Sequence, residues 1–248
     1  MNISDMTNAL RASTMLGKQA NTVTATDPIA KAFAQADQRV QQQLDVTSAQ
    51  LSSFGKLKSA FADVQGAAKA LSSPKTGATD DDISKAAADF VKAFNSALQT
   101  AKTNQAQATS SPELTGARRA ETDLRRVLGT DSSLSSSLKG IGITQQADGS
   151  LALDATKFQA AIKANGTELR ATVAKLGQQG QAMATRELAD TGNVGSALKA
   201  LSSQSTSLKA RQSEQQAALT SFQQLASAPN PLLSASGLAA YTRFSSMF

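Results

Sequence analysis

Residues 140–165, GIGITQQADGSLALDATKFQAAIKAN, hold the β signal in a chain that elsewhere reads as helix. Ile141, Ile143, Leu151 and Leu153 alternate with small or polar residues on either side of Ala147-Asp148-Gly149-Ser150, a turn-forming run. Residues 140–153 therefore read as a β-hairpin. Asp154 then stands as a helix N-cap, because its short carboxylate can accept from backbone N–H groups that the first turn leaves free. The helix it opens puts Phe158 and Ile162 inward, and Asn165-Gly166 reads as its stop.

Upstream, Thr79 caps a helix whose first turn holds Asp80, Asp81 and Asp82, where negative charge meets the positive end of the helix dipole. Its buried face is Ile83, Ala87, Phe90, Phe94, Leu98 and Ala101. A stretch of Gln, Ala, Thr and Ser leads through Pro112 to a further helix with Leu114, Leu124, Val127 and Leu128, stopped by Gly129. Residues 74–193 thus form a small helical head around the hairpin.

On the amino-terminal side of the head, Asp27-Pro28 supplies a cap and a first helical residue. Beyond it Phe33, Ala36, Val40, Leu44, Thr47, Leu51, Phe54, Leu57, Phe61, Val64, Ala68 and Leu71 recur in steps of three and four. A helix ending near Ser72-Ser73-Pro74 would be about 65 to 70 Å long. So long an apolar seam needs a partner, since helices owe most of their stability to packing. Val194, Leu198, Leu201, Leu208, Leu219 and Phe222 supply a matching one, interrupted by the polar Ser205, Gln212 and Gln215. Pairing within the chain and pairing between subunits both stay open.

The expected fold is mainly α. A long antiparallel, coiled-coil-like stalk comes from residues 28–73 and 194–228, below the head of residues 74–193. Leu44, Leu51, Phe54, Phe61, Val194, Leu201, Leu208 and Phe222 are the candidate stalk and subunit contacts. A polar, flexible arm occupies residues 1–27, and an apolar tail, residues 229–248, follows Pro229-Asn230-Pro231. In that tail Leu238, Tyr241, Phe244 and Phe248 are candidate terminal assembly contacts, because an apolar segment is costly to leave in water.

Composition narrows the chemistry. Among 248 residues there are nine Phe, one Tyr and no Trp, so the apolar share rests on Ala, Leu and Val and suits closely packed helices. Cys and His are absent, which removes thiolate chemistry, imidazole metal ligands and the commonest general base. The Asp80 to Asp82 run lacks the alternating ligands of a calcium loop, and no phosphate loop or nucleophile elbow frames any Ser or Lys. Neither catalysis nor a cofactor nor a metal is expected.

Net charge is +6 with a pI near 9.7, yet the densest basic stripe, Arg118, Arg119, Arg125 and Arg126, is broken by Glu121 and Asp123 and has no stacking aromatics. It reads as a solvated or inter-subunit face, and no nucleic acid is expected. Met1 to Pro28 shows no cleavable signal peptide and no window approaches a membrane span, so neither membrane insertion nor signal-directed export is expected.

Two stretches carry a family likeness. Residues 52–73, SSFGKLKSAFADVQGAAKALSS, and residues 140–165 resemble the long amino-terminal helix and the hairpin-plus-helix of the bacterial flagellar filament cap family, hook-associated protein 2. Residues 83–98, with Asp89-Phe90-Val91-Lys92-Ala93-Phe94-Asn95, resemble that family's helix re-entering the stalk and head after its outer domains. The likeness spans most of residues 40–225 in the family's order.

The resemblance implies an extracellular assembly protein of the flagellum. It would form a ring-like homo-oligomer at the filament tip, admit flagellin beneath the heads, and pass through the flagellar export apparatus with or without an export chaperone. It also implies a short form, since only Pro74 to Asp82 stands where the family carries its large outer domains, which would bear any adhesion role. A hook-filament junction component or type III secretion accessory shares helical termini and missing Cys, and a cytoplasmic helical scaffold shares the helices alone.

Overall fold

In the computed structural model the described residues are 28–74, 77–108, 111–129 and 131–226. The arm of residues 1–27 and the tail of residues 229–248, with Leu238, Tyr241, Phe244 and Phe248, lie outside them. Helices α1 (Pro28–Ser72), α2 (Asp80–Gln107), α3 (Ser111–Gly129) and α4 (Ser132–Gly140) precede strands β1 (Ile143–Gln145) and β2 (Leu151–Leu153). Helices α5 (Ala155–Leu188) and α6 (Asn193–Ala226) follow. Among the described residues the fold is mainly α with one hairpin, as the sequence pattern requires. Two compact units divide it: residues 45–207, and the segments up to Leu44 and from Leu208 onward.

The larger unit has one continuous apolar core. Phe54, Leu57, Phe61, Val64, Ala68 and Leu71 of α1 meet Ile83, Ala87, Phe90, Phe94, Leu98 and Ala101 of α2, the face expected for that helix. Ala117, Ala120 and Leu124 of α3, Leu134 and Leu138 of α4, Val173 and Leu176 of α5, and Val194 and Leu201 of α6 complete it. Many of these side chains are alanines, so backbones approach closely. At Gly177 of α5 an added Cβ would lie 2.6 Å from the Ala68 carbonyl oxygen and from the Ser72 nitrogen of α1, a contact that no side chain allows.

Caps fix where the helices begin. Thr79 and Asp82 form a reciprocal box at the start of α2: Asp82 N–H donates to Thr79 Oγ1 (3.2 Å) and Thr79 N–H to Asp82 Oδ2 (2.8 Å). Asp80 pairs with Arg170 of α5 at 2.7 Å, so two of the three carboxylates serve the fold. Asp131 caps α4, accepting from the N–H groups of Ser133 and Leu134 at 3.0 Å each, and Asp154 caps α5, accepting from Lys157 N–H at 3.0 Å.

The structure departs from the sequence reading in two places. The hairpin is narrower than residues 140–153: Gly140 ends α4, Ile141 is its C-cap, and only 143–145 and 151–153 pair. Helix α4 had no counterpart in the reading. As expected, the helical run that Asp154 opens ends at Asn165, whose φ of −152° and ψ of 71° are non-helical; α5 continues as a second run across this kink, capped by the same residue, whose side chain donates to Glu168 Oε2 (2.7 Å) and accepts from Glu168 N–H (3.3 Å). A residue suited to ending one helix here also begins the next.

In the smaller unit α1 and α6 run antiparallel. The Phe33 and Phe222 rings lie 6.4 Å apart, and Gln212 Nε2 donates to Gln41 Oε1 at 3.1 Å. Phe33, Ala36, Val40 and Leu208 are buried in this seam, and so is Gln215.

Candidate functional site

The hairpin is held by side chains of α2 and a backbone carbonyl of α3. Ile143 pairs with Leu153 and Gln145 with Leu151, placing these four on one face, with Ile143 and Leu151 buried. Asn95 of α2 clamps β2 from its free edge: its Nδ2 donates to the Leu151 carbonyl and its Oδ1 accepts from the Leu151 N–H, both at 2.8 Å. One amide thus does the work of another strand's backbone. At the turn, Lys102 Nζ donates to the Asp148 carbonyl (2.9 Å), and from α3 the Arg125 carbonyl accepts from Gln145 Nε2 (3.0 Å).

The base of the hairpin depends on Gly142. Its φ of +91° belongs to a region that side chains disfavour, and an added Cβ would lie 2.8 Å from the Asp154 carbonyl oxygen. In return, Asp154 N–H reaches the Gly142 carbonyl at 2.8 Å, which joins the hairpin to the cap of α5. The Gly-Ile-Gly-Ile start and the Leu-x-Leu-Asp end of the pattern therefore meet in space.

The candidate contact residues fall into two groups. Phe54, Phe61, Val194 and Leu201 are buried in the core of the larger unit, and Leu208 is buried in the seam of the smaller one. Leu44, Leu51 and Phe222 are half-buried and keep surface for further contact. The polar breaks in the second seam are also partly covered: Gln212 is bonded to Gln41, Ser205 is half-buried, and the buried Gln215 Oε1 has no hydrogen-bond partner among the described residues. Val46 of α1 is an exposed large apolar side chain beside a shallow groove with Ala49, Phe54 and Ala108.

The arginine stripe is partly spent on the fold. Arg125 is half-buried and donates to Glu121 Oε1 through Nε (3.0 Å) and an Nη (2.8 Å), while Arg118, Arg119 and Arg126 are exposed. Among the described residues no group of three or more Asp and Glu is placed to hold a metal ion, and no helix is long and apolar enough to cross a membrane.

One polar cluster was invisible in the sequence. Glu187, near the end of α5, is fully buried and accepts from Asn193 Nδ2 at 2.8 and 3.1 Å, with Asp123 of α3 beside it. Burial, and next the Asp123 carboxyl, push the Glu187 carboxyl up to about 7. The stretch Arg186-Glu187-Leu188-Ala189-Asp190 reads as a solvated helix end, and nothing in its spacing signals burial.

These features define a class: a helical protein with an embedded hairpin, whose candidate contacts are helix seams and whose polar side chains hold elements together. A sequence profile described as flagellar hook-associated protein 2 C-terminus matches residues 77–247, and the chain belongs to that family. The match takes in the re-entry helix and the hairpin segment, whereas residues 52–73 precede it. No curated protein and no solved structure matches the chain.

Proposed function

We propose that this protein caps the growing flagellar filament and promotes entry of flagellin subunits at its tip, outside the cell. The family match over residues 77–247 carries this reading. Several copies form a ring, with residues 74–193 as heads and the paired seams of residues 28–73 and 194–228 as legs touching flagellin. The protein works as a steric and mechanical device, not as an enzyme. It reaches the tip through the flagellar export apparatus, with an export chaperone as a further partner.

The composition of the seams supports such work. Gln212 and Gln215 sit where an unbroken coiled coil would carry apolar residues, and contacts such as the Gln212–Gln41 bond are weaker and easier to remake than a row of Leu. The apolar tail, with Leu238, Tyr241, Phe244 and Phe248, supplies surface for neighbouring subunits at the tip.

The test is a clean deletion of the gene, followed by electron microscopy and an assay for flagellin in the medium. Short or missing filaments with unpolymerised flagellin outside the cell are expected. Normal filaments and motility overturn the reading.

A further inference from the structure

Helix α5 turns into α6 through a tight corner at residues 189–192. Gly192 N–H donates to the Ala189 carbonyl at 2.8 Å, and a Cβ on Gly192 would overlap the carbonyls of Arg186 and Glu187. Inside this corner lie two carboxyl groups, Glu187 of α5 and Asp123 of α3. A single amide serves both: Asn193 Nδ2 is 2.8 and 3.1 Å from the two Glu187 oxygens and 3.4 Å from Asp123 Oδ2. Three acceptor oxygens thus converge on one nitrogen that has only two hydrogens to give.

The charges do not balance either. Arg186 of α5 is the cation acting on the pair; it stands 3.3 Å from Asp123 Oδ2, with its side chain 64% exposed, while Glu187 is 0% exposed. The groups that act most on Glu187 are Asp123 from α3, Asn193 from α6 and Arg186 from its own helix. A fully buried carboxylate beside a half-buried one, with one solvated counter-charge between them, is short of a positive charge, and a proton supplies it.

We propose that a proton held between Glu187 and Asp123 locks the α5–α6 corner, and that its loss as pH rises loosens that corner. The lock is independent of the cap reading, because it concerns a joint inside the fold. Its direction follows from linkage. The folded chain keeps the Glu187 proton up to about pH 7, whereas the unfolded chain releases it near 4.5. The folded state therefore binds more protons between these values, and stability falls as pH rises through them.

Thermal unfolding of the full chain from about pH 5 to about pH 9, with amide exchange followed at residues 186–196, tests the lock. The folding equilibrium constant should fall by roughly ten- to hundredfold between about pH 5 and about pH 7 and level off above that, with exchange rising at the corner beyond its intrinsic pH dependence. Glu187→Gln should remove that dependence and Asp123→Asn should shrink it. A flat profile in the unaltered chain, or an undiminished slope in Glu187→Gln, overturns the proposal. Should Glu187→Gln fail to fold, the infrared carbonyl band of a protonated carboxyl decides the matter in the unaltered chain: a band titrating near neutrality is expected, and none at pH 6 overturns it.

Discussion

Asn95 shows how much of this fold hangs on single side chains. It lies inside the Asp89 to Asn95 motif, yet its value comes from a partner 56 residues away, the backbone of Leu151. Asn95→Ala removes a donor and an acceptor at once and leaves a part-buried N–H and carbonyl unmatched. We expect a loss of about 2 kcal/mol in chemical denaturation, with the hairpin amides losing exchange protection first. An unchanged midpoint would mean that water replaces the clamp without cost. Thr79 and Asp154 were legible as caps because capping is local; Asn95 and Glu187 were not, because their partners arrive only when the helices pack.

At the scale of elements, periodicity succeeded where helices are long and apolar. The expected face of α2 is buried at every position from Ile83 to Ala101, since a stripe of this kind has one way to leave water. Helix α4 escaped because five of its nine residues are Ser, poor helix formers, and its signals are only the Asp131 cap and the Leu134–Leu138 pair. Its Gly140 and Ile141 then looked like the start of the neighbouring strand.

In the seam of the smaller unit the polar breaks were legible, but their packing was not. Gln215→Leu should stabilise the isolated protein by about 1 kcal/mol, because it replaces a buried amide oxygen that has no partner. Gln212→Leu should gain less, since it gives up the bond to Gln41. Carried together they should slow filament growth in cells, measured as filament length against time, if the seam has to open and reseal at the tip.

At the scale of the whole molecule, stability falls away on both sides of a mildly acidic optimum. Hydrogen bonds from Lys175 and Ser133 hold the Asp131 carboxyl well below the usual range, and hydrogen bonds from Ser150 bring Asp148 down to about 2. The stability these groups supply is complete above about pH 4 and is lost as pH falls further, whereas the contribution of Glu187 is lost as pH rises from 4.5 toward 7. Melting temperature should therefore peak on the acid side of neutrality, between about pH 4 and 6, and a maximum above pH 7 would contradict these assignments. The close contact at Gly177 bears on force as well as on heat. If α5 slid along α1 by one turn, about 5.4 Å, Val173 or Gln181 would be driven toward the Ala68 carbonyl, where even one added carbon has no room. The two helices cannot creep past each other in small steps; under tension the contact acts as a catch with a single tooth, which holds or lets go.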